Sequence, residues 1–154
     1  QREKVDIHKV IAEALDICSI KAKKRGVEIF YKKEKELPSV YGQKQNLTQV
    51  IINIINNSIE AGEKEQPYVK IKTDHDLKLK EVLIRIEDNG EGIEQDNLQR
   101  LSEPFFTTKD NKGGTGLGLS LVSKIVQSHN GRISFQSEKT KGTIVTIVLP
   151  AIFD

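Results

Sequence analysis

The sequence predicts an α+β domain, a two-layer sandwich with helices on one face of a mostly antiparallel sheet of about five strands. Three segments space apolar residues at i, i+3, i+4 as amphipathic helices do, and five shorter ones alternate apolar and polar residues as strands do. Four of those strands fall into two hairpins, which makes the sheet mostly antiparallel. The 154 residues are enough for one core, burying roughly 70% of the surface that the unfolded chain exposes. Neither a repeat nor a linker interrupts residues 1–154, so a single domain is expected.

The first helix is expected from Asp6 to about Lys24, with Val10, Ile11, Ala14, Leu15, Cys18 and Ala22 on its apolar stripe. Asp6 suits the N-cap, and Lys21, Lys23, Lys24 and Arg25 place cations at the negative end of the helix dipole. Gly26 stops it, and Val27–Tyr31 follows as a short strand. A charged loop, Lys32–Glu36, leads through Leu37-Pro38 to Tyr41-Gly42, which closes the connector. The second helix, Gln43 to about Gly62, contains the β-branched run Val50-Ile51-Ile52-Asn53-Ile54-Ile55, which by itself reads equally as a strand; its length decides for helix. Leu47, Val50, Ile51, Ile54, Ile55 and Ser58 form one face; Gln49, Asn53, Asn56, Asn57 and Glu60 form a polar stripe. Tyr68–Thr73 and Lys80–Asp88 read as strands joined through a turn at Asp74-His75-Asp76. Ile93–Leu101 reads as a short helix, Ser102–Thr115 as an irregular loop and Gly116–His129 as the third long helix. Arg132–Ser137 and Gly142–Leu149 form the last hairpin, turning through Glu138–Lys141.

Composition removes several function classes. Apolar residues at 36% and charged residues at 30% fit a globular chain, and Gly 11 with Pro 4 is too little for a low-complexity one. Twenty-four basic against 22 acidic residues are too balanced for a dense basic patch, so nucleic acid is not an expected partner. No apolar stretch approaches the roughly 20 residues of a membrane span, and the opening Gln-Arg-Glu-Lys-Val-Asp lacks the core of a signal peptide. Cys18 is alone and no metal-spaced Cys/His cluster exists, which fits a reducing, cytoplasmic setting. Met is absent, so the sequence reads as a piece of a longer protein.

Four features carry chemistry. Asn53 and Asn57, spaced i, i+4, stack on one face of an apolar helix. Their amide oxygens are hard ligands suited to Mg²⁺ shared with phosphate oxygens and water, although helix capping or a satisfied core amide accounts for the same pattern. Asp88-Asn89-Gly90-Glu91-Gly92 follows a strand. Its glycines let backbone approach a flat ligand and its carboxylate can receive an exocyclic amine, but a plain Asp-Asn-Gly turn reads the same way. Gly113-Gly114-Thr115-Gly116-Leu117-Gly118-Leu119 runs into a helix, an anion site by its free N–H groups and dipole, with a flexible linker as the alternative. It is neither a Walker loop nor a Rossmann fingerprint. Glu103-Pro104-Phe105-Phe106-Thr107-Thr108-Lys109 precedes it and reads as part of a lid, Lys109 and Lys112 reaching phosphates, or as a buried Phe pair with solvated lysines.

In this order the four motifs resemble the ATP-binding catalytic domain of sensor histidine kinases, in the superfamily of the gyrase, heat-shock-90 and mismatch-repair ATPases. The resemblance runs from Asp6 to Pro150, with an N box at Gln49–Ala61, glycine boxes at Asp88–Gly92 and Gly113–Leu119 and an F box at Glu103–Lys109; the lid is most similar to the nitrogen-regulation and sporulation kinases. It implies the Bergerat fold, three helices layered on a mixed sheet, with ATP and Mg²⁺ as cofactors. By that resemblance Asn57 is the metal ligand, Asn53 lies beside the phosphates and Asp88 reads the adenine amine. Gly90, Gly92, Ile93 and Thr143 complete the base side of the site. Phe105, Thr107, Thr108, Lys109, Lys112, Gly114, Thr115, Gly116, Leu117 and Gly118 supply the lid and phosphate side, with Asn53 and Lys109 as the catalytic pair.

Hydrolysing members of the superfamily carry a glutamate base where Asn53 stands, and an amide cannot accept a proton at neutral pH. The resemblance therefore implies phosphoryl transfer to a protein histidine. His8, His75 and His129 do not suit that role: His8 precedes Lys9 at a helix start, His75 lies in a predicted turn and His129 ends a helix. The phosphoacceptor is expected on a separate dimerisation domain, with a response regulator downstream of it, a monomeric fragment and a dimeric parent. A serine kinase of the anti-sigma-factor type and a non-catalytic ATP-sensing module presenting Phe105 and Phe106 are the competing readings. Many family members place a Lys or Arg three residues after the magnesium asparagine and a Tyr beside it, where this chain has Glu60 and Ala61; Ser58 replaces the usual alanine, small for small.

Overall fold

The computed structural model describes residues 1–33, 36–62, 64–93 and 117–153. Among these the chain order is β1 (Glu3–Val5), α1 (Ile7–Lys24), β2 (Glu28–Tyr31), β3 (Ser39–Gly42), α2 (Lys44–Glu60), β4 (Tyr68–Asp76), β5 (Glu81–Asp88), α3 (Leu117–Ser128), β6 (Arg132–Glu138) and β7 (Gly142–Ile152). The expected helix at Ile93–Leu101 and loop at Ser102–Thr115 lie, but for Ile93, outside the described residues. One mixed sheet runs β1-β3-β7-β5-β4-β2, with β6 also paired to β7. Every pairing is antiparallel except β2 with β4, and all three helices lie against one face.

Among the described residues the sheet thus has seven strands where about five were expected. The two additions, β1 and β3, are three and four residues long, too short for an alternation to register. They exist because β3 pairs with the end of β7, Ser39 opposite Ile152 and Val40 opposite Ala151, and β1 then pairs with β3. The turn at Asp74–Asp76 is also displaced. Those residues continue β4, and the chain reverses at 77–80, where Asp76 Oδ1 accepts the N–H groups of Lys78 and Leu79, each at 2.9 Å. Asp76 is therefore the side-chain cap of the turn and not its middle.

α2 is the central helix, flanked by α1 and α3. Its Ile51, Ile54, Ile55 and Ile59, each at most 2% exposed, cover a sheet face built from Val82, Ile84 and Ile86 of β5 opposite Leu149, Ile147 and Val145 of β7. Period-2 alternation places Asp88 fourth in that inward row, opposite Thr143. At the start of α1 the Asp6 side chain accepts the His8 N–H at 2.9 Å, the cap that its sequence position implies. α2 is capped differently. The neutral His129 ring donates from Nδ1 to the Ile125 carbonyl at 2.8 Å and accepts the Gln43 N–H on Nε2 at 3.0 Å, tying the end of α3 to the start of α2. No helix among the described residues is long and apolar enough to cross a membrane.

Candidate functional site

The site forms where the C-terminal half of α2, the end of β5 and the β6–β7 turn meet. Asp88 is 5% exposed, and burial pushes its carboxyl above the ordinary carboxylate value, against the pull of hydrogen bonds from the Gly90 N–H, the Ser58 hydroxyl and the Thr143 N–H. Gly90 donates to Oδ1 at 2.9 Å. A carboxylate offers about four lone-pair positions. The Gly90 bond leaves acceptor positions on it for a ligand.

The turn after Asp88 is stitched on both sides. Glu91 N–H donates to the Ala61 carbonyl at 3.1 Å, fastening the turn to the end of α2, and Ile93 N–H donates to Ser137 Oγ at 2.7 Å, fastening it to β6. Ser137 Oγ passes its own proton to the Gly142 carbonyl at 2.8 Å and lies 2.9 Å from Thr143 Oγ1. These closures leave no room for side chains. A Cβ on Gly90 would stand 2.4 Å from the Ala61 carbonyl oxygen, and Gly92, at φ +73°, would put one 1.9 Å from the Glu138 carbonyl oxygen. Asn89 faces away from the site, Oδ1 accepting the Tyr68 N–H at 2.8 Å, so it holds the turn to β4.

Asn53 and Asn57 lie half-buried on one face of α2, about two turns and one turn from its end respectively, as the spacing requires. Asn53 Oδ1 accepts Gln49 Nε2 at 2.9 Å. Among the described residues no group of three or more His, Cys, Asp or Glu is arranged to hold a metal. The donor set on offer is amide oxygen, a hard ligand that fits Mg²⁺ when the ion's remaining positions are filled by phosphate and water.

The structure thus brings Asn53, Asn57, Asp88, Gly90, Gly92, Ile93 and Thr143 to one region, while Leu117 and Gly118 open α3. Phe105, Thr107, Thr108, Lys109, Lys112, Gly114, Thr115 and Gly116 lie outside the described residues. Ser137 is the residue at this turn that sequence reasoning missed: its hydroxyl accepts the Ile93 N–H and meets Thr143, but in the sequence it is only the last residue of an alternating strand. Glu60 is accounted for as well: its carboxylate pairs with Lys21 of α1, and Arg25 donates to its carbonyl at 3.3 Å. Of the histidines, His8 bonds the Tyr31 hydroxyl and His129 bridges two helices, so both are engaged in the fold.

Residues 42–152 match the family described as histidine kinase-, DNA gyrase B-, and HSP90-like ATPase, and the chain belongs to that family. Within it, the domain is of the histidine kinase catalytic type. Sporulation kinase E of Bacillus subtilis is 36% identical over 149 residues, which make up 96% of this chain and 20% of that protein. The chain therefore spans about a fifth of that curated relative's length. The catalytic domain of histidine kinase ThkA superposes with a TM-score of 0.84 at 26% identity, covering 98% of both chains. Full-length ShkA in complex with AMPPNP, at 23% identity, shares the fold with a TM-score of 0.84 over all of this chain and 32% of its own.

Proposed function

We propose that the domain binds Mg-ATP and transfers its γ-phosphate to a histidine on a separate dimerisation domain of the parent protein, in two-component signalling. The observation that carries this reading is the buried Asp88 carboxylate at the end of β5, held by the Gly90 N–H, with Asn53 and Asn57 on one face of the helix whose end closes against the same turn. A carboxylate so held accepts the adenine amine. Gly90 and Gly92, close against Ala61 and Glu138, keep the wall beside the base flat. Asn57 supplies one amide oxygen to Mg²⁺, which when bound neutralises the phosphates, and Asn53 stands beside them. An imidazole nitrogen of the acceptor attacks the γ-phosphorus as the bond to ADP breaks, and the work of the protein is position and charge. The amide of Asn53 takes no proton, so α2 holds no base there to activate water in place of the histidine. Lys109, Lys112 and the N–H groups before α3 supply charge on the phosphate side. The parent's response regulator receives the phosphoryl group from that histidine, and a cytoplasmic setting supplies the ATP.

The test is calorimetric titration with AMPPNP, with and without Mg²⁺, on the wild type and Asn57→Ala. Magnesium-dependent binding that Asn57→Ala weakens about tenfold or more is expected from the loss of a ligand to a charged centre. Equal affinity in both proteins overturns the metal assignment, and absence of binding in the wild type overturns the reading as a whole. Phosphotransfer to an added histidine-bearing hairpin then tests the second half, with an acid-labile product expected.

A further inference from the structure

We infer that Lys21 of α1 is a positioning residue for the nucleotide: by pairing with Glu60 it neutralises the carboxylate that α2 would otherwise hold against the phosphates beside Asn53 and Asn57. The inference rests on the nucleotide reading above. Asn53, Asn57 and Glu60 follow one another at i, i+4 and i+7 and so form one stripe of the helix. Glu60 is the only acidic residue of α2, and the last turn of that helix carries no basic residue. The end of α2 nearest the phosphates therefore adds a carboxylate to the negative pole of the helix dipole. Mg-ATP carries a net negative charge of its own. Without compensation, that end of α2 would repel the ligand that its two amides hold.

The compensating charge comes from the neighbouring helix. α1 closes on Lys21, Lys23, Lys24 and its C-cap Arg25, and two of these cations reach the end of α2: Lys21 Nζ pairs with the Glu60 carboxylate, and Arg25 donates to the Glu60 carbonyl at 3.3 Å. The Glu60 side chain is 25% exposed, so salt and water screen its charge incompletely and a direct partner matters. An ion pair that served only to join the helices could do so anywhere along their contact, and one does. Lys44 Nζ meets Glu13 at 2.8 Å where α2 begins, about 20 Å along the helix from Asn57. Two ion pairs of one kind thus join the same two helices, one beside the amides and one remote from them, and only the first is placed to be felt by a charged ligand.

The experiment titrates AMPPNP with Mg²⁺ into the whole chain as wild type, Lys21→Ala, Glu60→Gln, the double variant and Glu13→Gln, after thermal melts establish that each folds. Lys21→Ala should weaken binding about three- to tenfold, the effect of one incompletely screened charge beside the phosphates, and the loss should shrink as salt is added. Glu60→Gln removes the charge itself, so it should bind at least as tightly as the wild type, and the double variant should regain wild-type affinity. Glu13→Gln, which breaks the remote pair, should leave affinity unchanged. An affinity that is unchanged or raised in Lys21→Ala overturns the inference. A double variant as weak as Lys21→Ala overturns it too, because that is the signature of an ion pair that only holds the helices together, as does a loss in Glu13→Gln equal to that in Lys21→Ala. A wild type that does not bind AMPPNP overturns instead the nucleotide reading on which the inference stands.

Discussion

Gly90→Ala puts the closure of the site to a test that can be worked from distances. The added Cβ would lie 2.4 Å from the Ala61 carbonyl oxygen and 2.8 Å from both its carbonyl carbon and its Cβ, and two of these three atoms are backbone at the end of α2. Ordinary contact begins at 3.4 Å, so the Asp88–Gly92 turn and the end of α2 must part by about 1 Å. The Glu91 N–H to Ala61 carbonyl bond, 3.1 Å in the native closure, does not survive that separation. Its loss costs about 0.5–1.5 kcal/mol, and the residual overpacking about 1–3 kcal/mol. Together these come to about 1.5–4.5 kcal/mol, or about 3–18 °C in Tm for a domain of this size. Differential scanning calorimetry reads the effect directly, with Gly131→Ala unsuitable as a control because its Cβ also meets backbone, the Val148 oxygen at 2.4 Å. Gly26→Ser is a better one: φ there is +67° but nothing lies within 4 Å, so only backbone strain is added. A Gly90→Ala protein melting within about 2 °C of the wild type, below the shift for 1 kcal/mol, would show that the turn yields freely and that its contact with α2 does not shape the site.

Two further outcomes follow from the same geometry. Burial raises the Asp88 carboxyl above its ordinary 3.8, so the native state holds that proton more tightly than the unfolded chain does. Stability from this group is fully present below the unfolded value and is lost as pH rises through the folded one. Urea midpoints of the wild type relative to Asp88→Asn should therefore decline as pH rises from the acid side toward neutrality, and parallel pH profiles would refute the sign. His129→Leu leaves the Gln43 N–H without its acceptor where α2 begins, at a cost of about 1–3 kcal/mol; urea unfolding that finds less than about 0.5 kcal/mol would mean that water replaces the ring.

The long amphipathic elements were legible because their signal is local. α1 follows from Val10, Ile11, Ala14, Cys18 and Ala22 at helical spacing after Asp6, and every one of those side chains is buried as the stripe requires. The β-branched run of α2, ambiguous by propensity, was settled by its length, and the four motifs placed Asn53, Asn57, Asp88 and the glycines in chain order. β1 and β3 were not legible. Their residues carry no periodicity, and only the protruding end of β7, its tenth and eleventh residues, provides β3 with a partner, on which β1 then pairs. Asp76 illustrates a nearer ambiguity: acidic residues at 74 and 76 both suit a turn, and the cross-strand register of His75 with Val82 decided which of them caps it.

The sequence by itself determined that this chain is a two-layer α+β domain with two amides on one helix face, a carboxylate at a strand end and glycines beside it, since each of these is a statement about spacing along the chain. What only the tertiary structure decided is what faces what. Ala61 and Glu91 are thirty residues apart in sequence and share a hydrogen bond, Gly90 needs to be glycine because the end of α2 stops against it, and Glu60 is turned toward Lys21 of another helix. The physical reason is common to all three. A hydrogen bond or a steric contact acts over about 3 Å, and which groups come that close depends on how α2 lies across β5, which no local pattern encodes.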